Sequence, residues 1–504
     1  MSLKQKVISG AKWAATGTGA VTLARLGSLA VLARLLDPAD FGLVGMVMVV
    51  VGFVNSFTDV GLSSAIVQRK DPTREQLSSL YWLNLAVGLV LFFVTLLSVP
   101  LVAAYYEEPR LRPLLRLAAL TFLISPFGMQ FRAILEKELR FKSLAGVDAA
   151  GALANAAVSI WFALAGRGVY SLIYGQLAQV GVTAVFLAAV SDKAWFPRLH
   201  FSIPDLRGYL GFGAYQMGER ALNYFSQNVD YLVIGKYLGA APLGYYTLAY
   251  NLVSYPQYRI TPIVAKVVFP AFAKVQDDKA AMNRGFLKSV SILSFINFPL
   301  AVGLAIAARP LVLSLYGPKW ASSIVLVQIL LVVGLIKSLA APFGAIILAK
   351  GRAHVSFAFN VVVCITNAAV CWIAVYPGVV ILSAALAGVY LLRYVLVNVV
   401  FLRWLTGVRS RDFWPQIVPS AVLSAIMAAG LLILHFGVLK PLGILQSPVP
   451  ALAWMVVTGA LLYFGAARLW QPRLLAEMLA LVWSRPDEKG NPPEEMKEVA
   501  AHGR

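Results

Sequence analysis

Apolar residues in this chain come in runs of about 18 to 25, the length at which a helix crosses a hydrocarbon core of about 30 Å, and short polar turns separate the runs. Fourteen spans are predicted: 11–35, 41–66, 80–103, 117–131, 147–164 and 170–190; then 210–234, 243–268, 290–308, 322–349, 355–375 and 379–402; and finally 414–436 and 451–467. The fourth is the shortest. The chain therefore reads as an all-α polytopic membrane protein. Beyond the last span, 472–483 has the pattern of a short amphipathic helix on the inner surface, and the polar residues 484–504 read as a disordered tail. No loop is long enough to fold as a soluble domain, so function has to reside in the helices.

Composition agrees: 504 residues that are 59% hydrophobic and only 13% charged do not make soluble domains. The net charge of +20 is explained by topology. With the N-terminus inside, most of the 43 Lys and Arg fall in cytoplasmic segments, as at Arg69, Lys70, Arg74, Arg132, Lys137, Arg140 and Lys142, and short basic loops resist translocation. Both termini are then cytoplasmic, and nucleic acid is not an expected partner. The first run is full length, contains Arg25 and leads into another span, which reads as a mature helix and not a cleaved signal. Cys364 and Cys371 lie on one apolar helix and read as packing residues, with no metal or cofactor expected.

Four cations stand in the interiors of apolar runs: Arg25, Arg220, Arg259 and Lys337. Each costs about 2.5 to 3.5 kcal/mol at the centre of a membrane helix, so a protected, wet cavity is expected around them. Guanidinium and ammonium groups there suit a phosphate-type anion. The seventh run adds Gln216, Glu219, Arg220, Asn223, Gln227 and Asp230 at three- and four-residue steps, which places them on one helix face. A polar seam sealed against another helix would show the same pattern; the ionisable residues favour a cavity. In the eighth run Asn251, Ser254 and Tyr258 form a stripe beside Tyr250, Tyr255 and Arg259. Such a stripe suits a sugar, and interfacial tyrosines would look alike. Asp59, Glu219 and Asp230 are candidates for ion coupling or for pairing with the cations. Arg393 and Lys266 lie nearer the inner surface and can snorkel to it.

One motif recurs. Leu36-Asp37-Pro38-Ala39-Asp40-Phe41-Gly42 is echoed 202 residues later by Leu238-Gly239-Ala240-Ala241-Pro242-Leu243-Gly244, and Arg34 by Lys236. An even number of spans per repeat keeps both halves in the same orientation, related by an axis near the membrane normal. This predicts two six-helix lobes, 1–200 and 201–405, around a central cavity, followed by two further helices (406–470) and a cytoplasmic end (471–504).

Residues 3–13, 32–42 and 57–65, together with Asp230-Tyr231-Leu232-Val233-Ile234-Gly235-Lys236-Tyr237-Leu238-Gly239, resemble the polysaccharide transporter family, the Wzx-type exporters of the multidrug, oligosaccharidyl-lipid and polysaccharide (MOP) flippase superfamily. The similarity runs from about residue 2 to 402 and fades through the last two spans. It implies a bacterial inner-membrane flippase that moves polyprenyl-diphosphate-linked oligosaccharide by alternating access, in contact with membrane lipids and with a polysaccharide polymerase or export complex. Two other classes stay open. A drug or cation antiporter of the same superfamily would need membrane carboxylates, which are sparse. A glycan polymerase or ligase would need acid, base or metal-binding groups gathered in a loop, yet the four histidines are scattered and no outer loop clusters carboxylates. An enzyme is not expected.

Overall fold

The computed structural model describes residues 3–58, 73–192, 195–206, 210–254, 278–350, 353–401, 407–439 and 447–483. Among them every regular element is helical. In chain order these are α1 (Leu3–Leu35), α2 (Pro38–Asn55), α3 (Arg74–Tyr106), α4 (Leu111–Ile124), α5 (Pro126–Lys137), α6 (Phe141–Leu164), α7 (Tyr170–Val190), α8 (Leu210–Leu238), α9 (240–254), α10 (Lys279–Leu315), α11 (Ser323–Ala349), α12 (Ala353–Ala374), α13 (Val379–Leu396), α14 (Val418–Leu432), α15 (Pro448–Trp470) and α16 (Pro472–Trp483), with a few short turns between. Ten described helices are long and apolar enough to cross a membrane, or eleven if one bent pair is a single span. Helices α1 and α8, at 33 and 29 residues, also have the necessary length. The chain is a multi-pass membrane protein.

Local chemistry sets the helix ends. The Gln76 amide donates to Thr73 Oγ1 and the Thr73 amide to Gln76 Oε1, both at 3.2 Å, so that two otherwise unmatched donors at the start of α3 are satisfied reciprocally. The bent pair is α4 and α5, which meet at 45° within the fourth predicted run. Pro126 opens α5, and its ring prevents the α4 ladder from continuing. That ring also occupies the space beside Gly88 of α3, where a Cβ would stand 2.5 Å from it.

Two compact units are present. The first comprises Met1–Leu252, Leu315–Leu326 and Phe357–Leu386. Within it α6 packs on α7 and α1, α3 packs on α4, and α2 packs on α8. The segment after α7 is pinned to the start of α3: the amides of Arg198 and Ser202 donate to Ser78 and Ser79 hydroxyls, each at 3.0 Å, and the Trp82 indole donates to the Arg198 carbonyl at 2.8 Å.

The second unit comprises Val253–Ser314, Val327–Ser356 and Ala387–Arg504. One core gathers Phe286, Phe343, Tyr394 and Phe413; another gathers Phe295, Met427 and Tyr463. Helix α16 has the bounds expected of the terminal amphipathic helix, and Leu474, Leu475 and Met478 lay its apolar face on the second core. Glu477 on the same helix pairs with Lys288 of α10. In the first unit, Cys364 and Cys371 are free and buried.

Candidate functional site

Helix α8 divides its predicted polar face into two parts. Glu219, Asn223 and Gln227 are exposed and Arg220 is half-buried. The Gln227 amide donates to Asn223 Oδ1 at 2.8 Å, which presents a linked pair of amides one turn from Arg220. Further along, Asp230 is only 7% exposed. Its carboxylate accepts from the buried Tyr246 hydroxyl of α9 and from the Tyr231 amide. Tyr231 meets the Tyr246 ring edge-on and Tyr250 stacks beside it. Helix α12 closes on the same stretch, where the Asn367 side chain donates to the Ser226 carbonyl at 3.3 Å.

Arg25 is exposed on α1 in this same unit, and Asn251 is half-buried on α9. Lys337 lies in the second unit, half-buried on α11 with its Nζ 5.2 Å from the centre of the Tyr390 ring. Asp59, Tyr258 and Arg259 fall outside the described residues, as does the side chain of Gln216.

The repeated motifs meet. A Cβ built on Gly42 would stand 1.7 Å from the Ala240 carbonyl oxygen, and one on Gly244 would stand 1.7 Å from the Pro38 carbonyl oxygen. The 202-residue offset relates Gly42 to Gly244 and Pro38 to Ala240, so the contact is reciprocal, as in an isologous interface. The entry to α2 and the entry to α9 cross backbone to backbone. Only glycine permits that approach.

Around this crossing the C-terminal end of α1 is sealed. The last carbonyls of a helix have no partner within it; here they are met by residues just beyond α10. The Trp320 indole donates to the Ala33 carbonyl at 2.7 Å. Lys319 Nζ donates to the carbonyls of Leu36 at 2.6 Å and Arg34 at 3.1 Å, and lies 3.6 Å from Asp37 Oδ1. That is where a helix dipole favours a cation. Arg34 returns the contact by donating to the Leu315 carbonyl at 3.1 Å. Trp320 is fully buried, edge-on to Phe41 and Tyr245. Sequence reasoning left Lys319 and Trp320 unassigned, because a short Gly-Pro-Lys-Trp turn between two spans carries no signal of burial. Trp320→Ala is expected to lower stability by about 3 to 5 kcal/mol, read as an earlier thermal unfolding transition in detergent. An unchanged transition would count against this seal.

Lys236, the counterpart of Arg34, reaches across to α3: its Nζ is 2.7 Å from Glu107 Oε1. That hydrogen bond, and secondarily the ammonium charge, holds the Glu107 carboxyl below the usual carboxylate range. Because the folded-state value is the depressed one, this contact stabilises the fold above the ordinary Glu pKa of about 4.3 and is lost as pH falls through the lowered value. Wild type is therefore expected to lose more stability than Lys236→Gln when unfolding is followed from neutral pH down through that range. Parallel pH profiles would remove the contact from the account.

A family model described as "Polysaccharide biosynthesis protein" matches residues 31–325. The lipopolysaccharide biosynthesis protein WzxC of Escherichia coli (strain K12) is 36% identical over 72% of this chain and 73% of its own length. The teichuronic acid biosynthesis protein TuaB of Bacillus subtilis (strain 168) is 31% identical over 87% and 90% respectively. Among solved structures, the lipid II flippase MurJ in an inward closed conformation superimposes with a TM-score of 0.72 at 14% identity, covering 91% of this chain and 99% of that one. An inward-facing MATE family transporter of the MOP superfamily gives 0.57 at 16% identity, covering 81% and 95%. At those identities the likeness is one of fold. The sequence matches show that the chain belongs to the polysaccharide biosynthesis protein family, together with the Wzx-type polysaccharide transporters.

Proposed function

We propose that this chain is a flippase that carries polyprenyl-diphosphate-linked oligosaccharide, with undecaprenol as the lipid, from the inner to the outer leaflet of the bacterial cytoplasmic membrane for O-antigen or exopolysaccharide assembly. The observation that carries this reading is the polar face of α8, where the half-buried Arg220 stands beside the linked amides of Asn223 and Gln227 on a helix long enough to span the bilayer. A diphosphate takes the guanidinium fork, and amides suit sugar hydroxyls. Arg25 and Arg259 complete the anion site in this scheme, Gln216, Asn251 and Tyr258 face the sugar, and the polyprenyl tail stays in lipid.

The scheme assigns fourteen spans, as two six-helix lobes related by a pseudo-twofold axis plus two C-terminal helices, with both termini cytoplasmic. The crossing of α2 and α9 then lies on the outer side, where its separation belongs to the outward-open state of an alternating-access cycle. Asp59 and Glu219 are assigned to ion coupling or pairing. The burial of Asp230 against Tyr246 favours an ion-coupled cycle over passive exchange, since an intramembrane carboxylate marks a proton or cation path. A polysaccharide polymerase is the expected partner, and the chain itself is assigned no catalytic step.

The test follows a fluorescent polyprenyl-diphosphate oligosaccharide in proteoliposomes, scoring its exposure to an external quencher. Exchange that depends on the protein is expected. No movement of this lipid, together with efflux of small organic cations, would replace the flippase reading with that of an antiporter.

A further inference from the structure

We propose that α10 is a latched hinge, which flexes at Pro299 into the cleft it shares with α11 and is held in the present conformation by the hydroxyl of Tyr463 on α15. The hinge is read from the second unit alone; its part in transport rests on the flippase reading.

Pro299 lies inside the continuous 37-residue helix α10. Proline has no N–H, so the Phe295 carbonyl four residues earlier loses its ladder donor, and the proline ring presses on that same carbonyl. In a membrane such a group is satisfied by a neighbouring helix. Tyr463 does this: its hydroxyl donates to the Phe295 carbonyl at 2.8 Å, and its ring stands 5.3 Å from that of Phe295. Both residues are 3% exposed, so water does not compete for the bond.

The two sides of α10 differ. At about 100° per residue, Phe295, Val302 and Ile306 share one face, which meets the core that holds Met427 and Tyr463. Leu300, Ala301 and Leu304 fall on the opposite face, where they line a cleft with Leu331, Gly334 and Leu335 of α11. By the same spacing Pro299 lies on the Tyr463 side. Its ring therefore opens that side of the helix and biases the bend toward the cleft. Support along α10 is also uneven. Before the proline, Met282, Phe286, Val290 and Leu293 are fully buried in the other core of the unit, and Lys288 pairs with Glu477 of α16. From Pro299 to Ile306 no residue is buried. The first half of α10 is thus an anchored arm, and Tyr463 ties down the point where the arm ends. Helix α16 braces this latch by laying Leu474, Leu475 and Met478 on the core around Tyr463. Movement into the cleft presses on α11, which carries Lys337 three residues beyond Gly334.

The test places Leu304→Cys and Leu331→Cys across the cleft of the full chain, with Cys364 and Cys371 changed to Ser, and times their cross-linking by a short bifunctional thiol reagent. Tyr463→Phe keeps the ring and removes only the latch, and is expected to speed cross-linking several-fold. Pro299→Ala returns an N–H to the Phe295 carbonyl, and is expected to slow it. In the Pro299→Ala background Tyr463→Phe is expected to change the rate less than twofold, because the carbonyl then has its own donor; a purely structural tyrosine would act alike in both backgrounds, so this cycle isolates the latch. Hydrogen exchange of the chain without added cysteines gives a second readout: the amides of 300–306 are expected to exchange several-fold faster in Tyr463→Phe and at the parent rate in Tyr463→Phe with Pro299→Ala. No cross-link in any variant, an unchanged rate in Tyr463→Phe, or an equal effect of Tyr463→Phe with and without Pro299 would overturn the hinge. A chain that cross-links as expected yet moves no lipid would sink the flippase reading and leave the hinge standing.

Discussion

Gly42→Val and Gly244→Val are each expected to abolish transport and to lower the thermal stability of the protein. The Cβ of either residue would lie 1.7 Å from a backbone carbonyl oxygen, and also 2.5 Å from the carbonyl carbon of Ala240 or 2.6 Å from that of Pro38. Carbon atoms in contact prefer about 3.5 to 4.0 Å. The obstructing atoms are main chain, so no rotamer change relieves the clash, and the helices that start at Pro38 and Ala240 have to separate. Overpacking of this kind costs about 1 to 3 kcal/mol where a core can adjust. A backbone crossing adjusts less readily than side chains, so the upper end is expected. Because the contact is reciprocal, one separation relieves both clashes. The double variant is therefore expected to be little worse than either single one, a failure of additivity that unrelated sites would not show.

The conformational side of this prediction has its own measurement. Thr247 lies beside the crossing, its Oγ1 3.0 Å from the position of a Cβ on Gly45. In a chain with Cys364 and Cys371 changed to Ser, Thr247→Cys should be protected from a membrane-impermeant maleimide, and adding Gly42→Val should expose it. Equal labelling with and without the valine, together with an unchanged unfolding transition, would show that the two turns do not need this approach.

Arg25→Ala and Arg220→Ala are expected to reduce flipping by roughly two orders of magnitude, since a bidentate guanidinium contact to an anion is worth about 3 kcal/mol. Their effects on stability should differ. Arg25 is exposed, and its loss should shift the unfolding transition little, as surface changes generally do. Arg220 is half-buried and is not without a partner, so its removal should cost some stability as well. Arg25→Lys keeps the charge and loses the fork, and should retain only part of the activity. Normal transport by both alanine variants would remove the anion site from the mechanism, whereas full activity in the lysine variant would reduce its requirement to charge alone.

Long apolar runs with few interior charges admit one solution in lipid, the helix that satisfies its own backbone. For that reason the helical class, the membrane setting and the short terminal helix at 472–483 could be read from residue order. The same order exposed the family through local motifs, and singled out the two matching turns that hold Gly42 and Gly244, because turns at helix entries depend on local backbone chemistry. The bend at Pro126 was less visible, since a run of apolar residues looks alike whether or not its ladder is interrupted. On α8 a three- and four-residue spacing identified a polar face, yet it could not separate the exposed Asn223 and Gln227 from the buried Asp230; which part of a face is covered depends on neighbours such as Tyr246 and Asn367 that arrive from other helices. Trp320 capping Ala33 spans 287 residues, Lys236 meeting Glu107 spans 129, and two cations share the ring of Tyr390. Periodicity records what a segment wants to bury or expose. Which partner satisfies it is settled by packing between segments far apart in the chain, where shape and charge are matched only after the helices have come together.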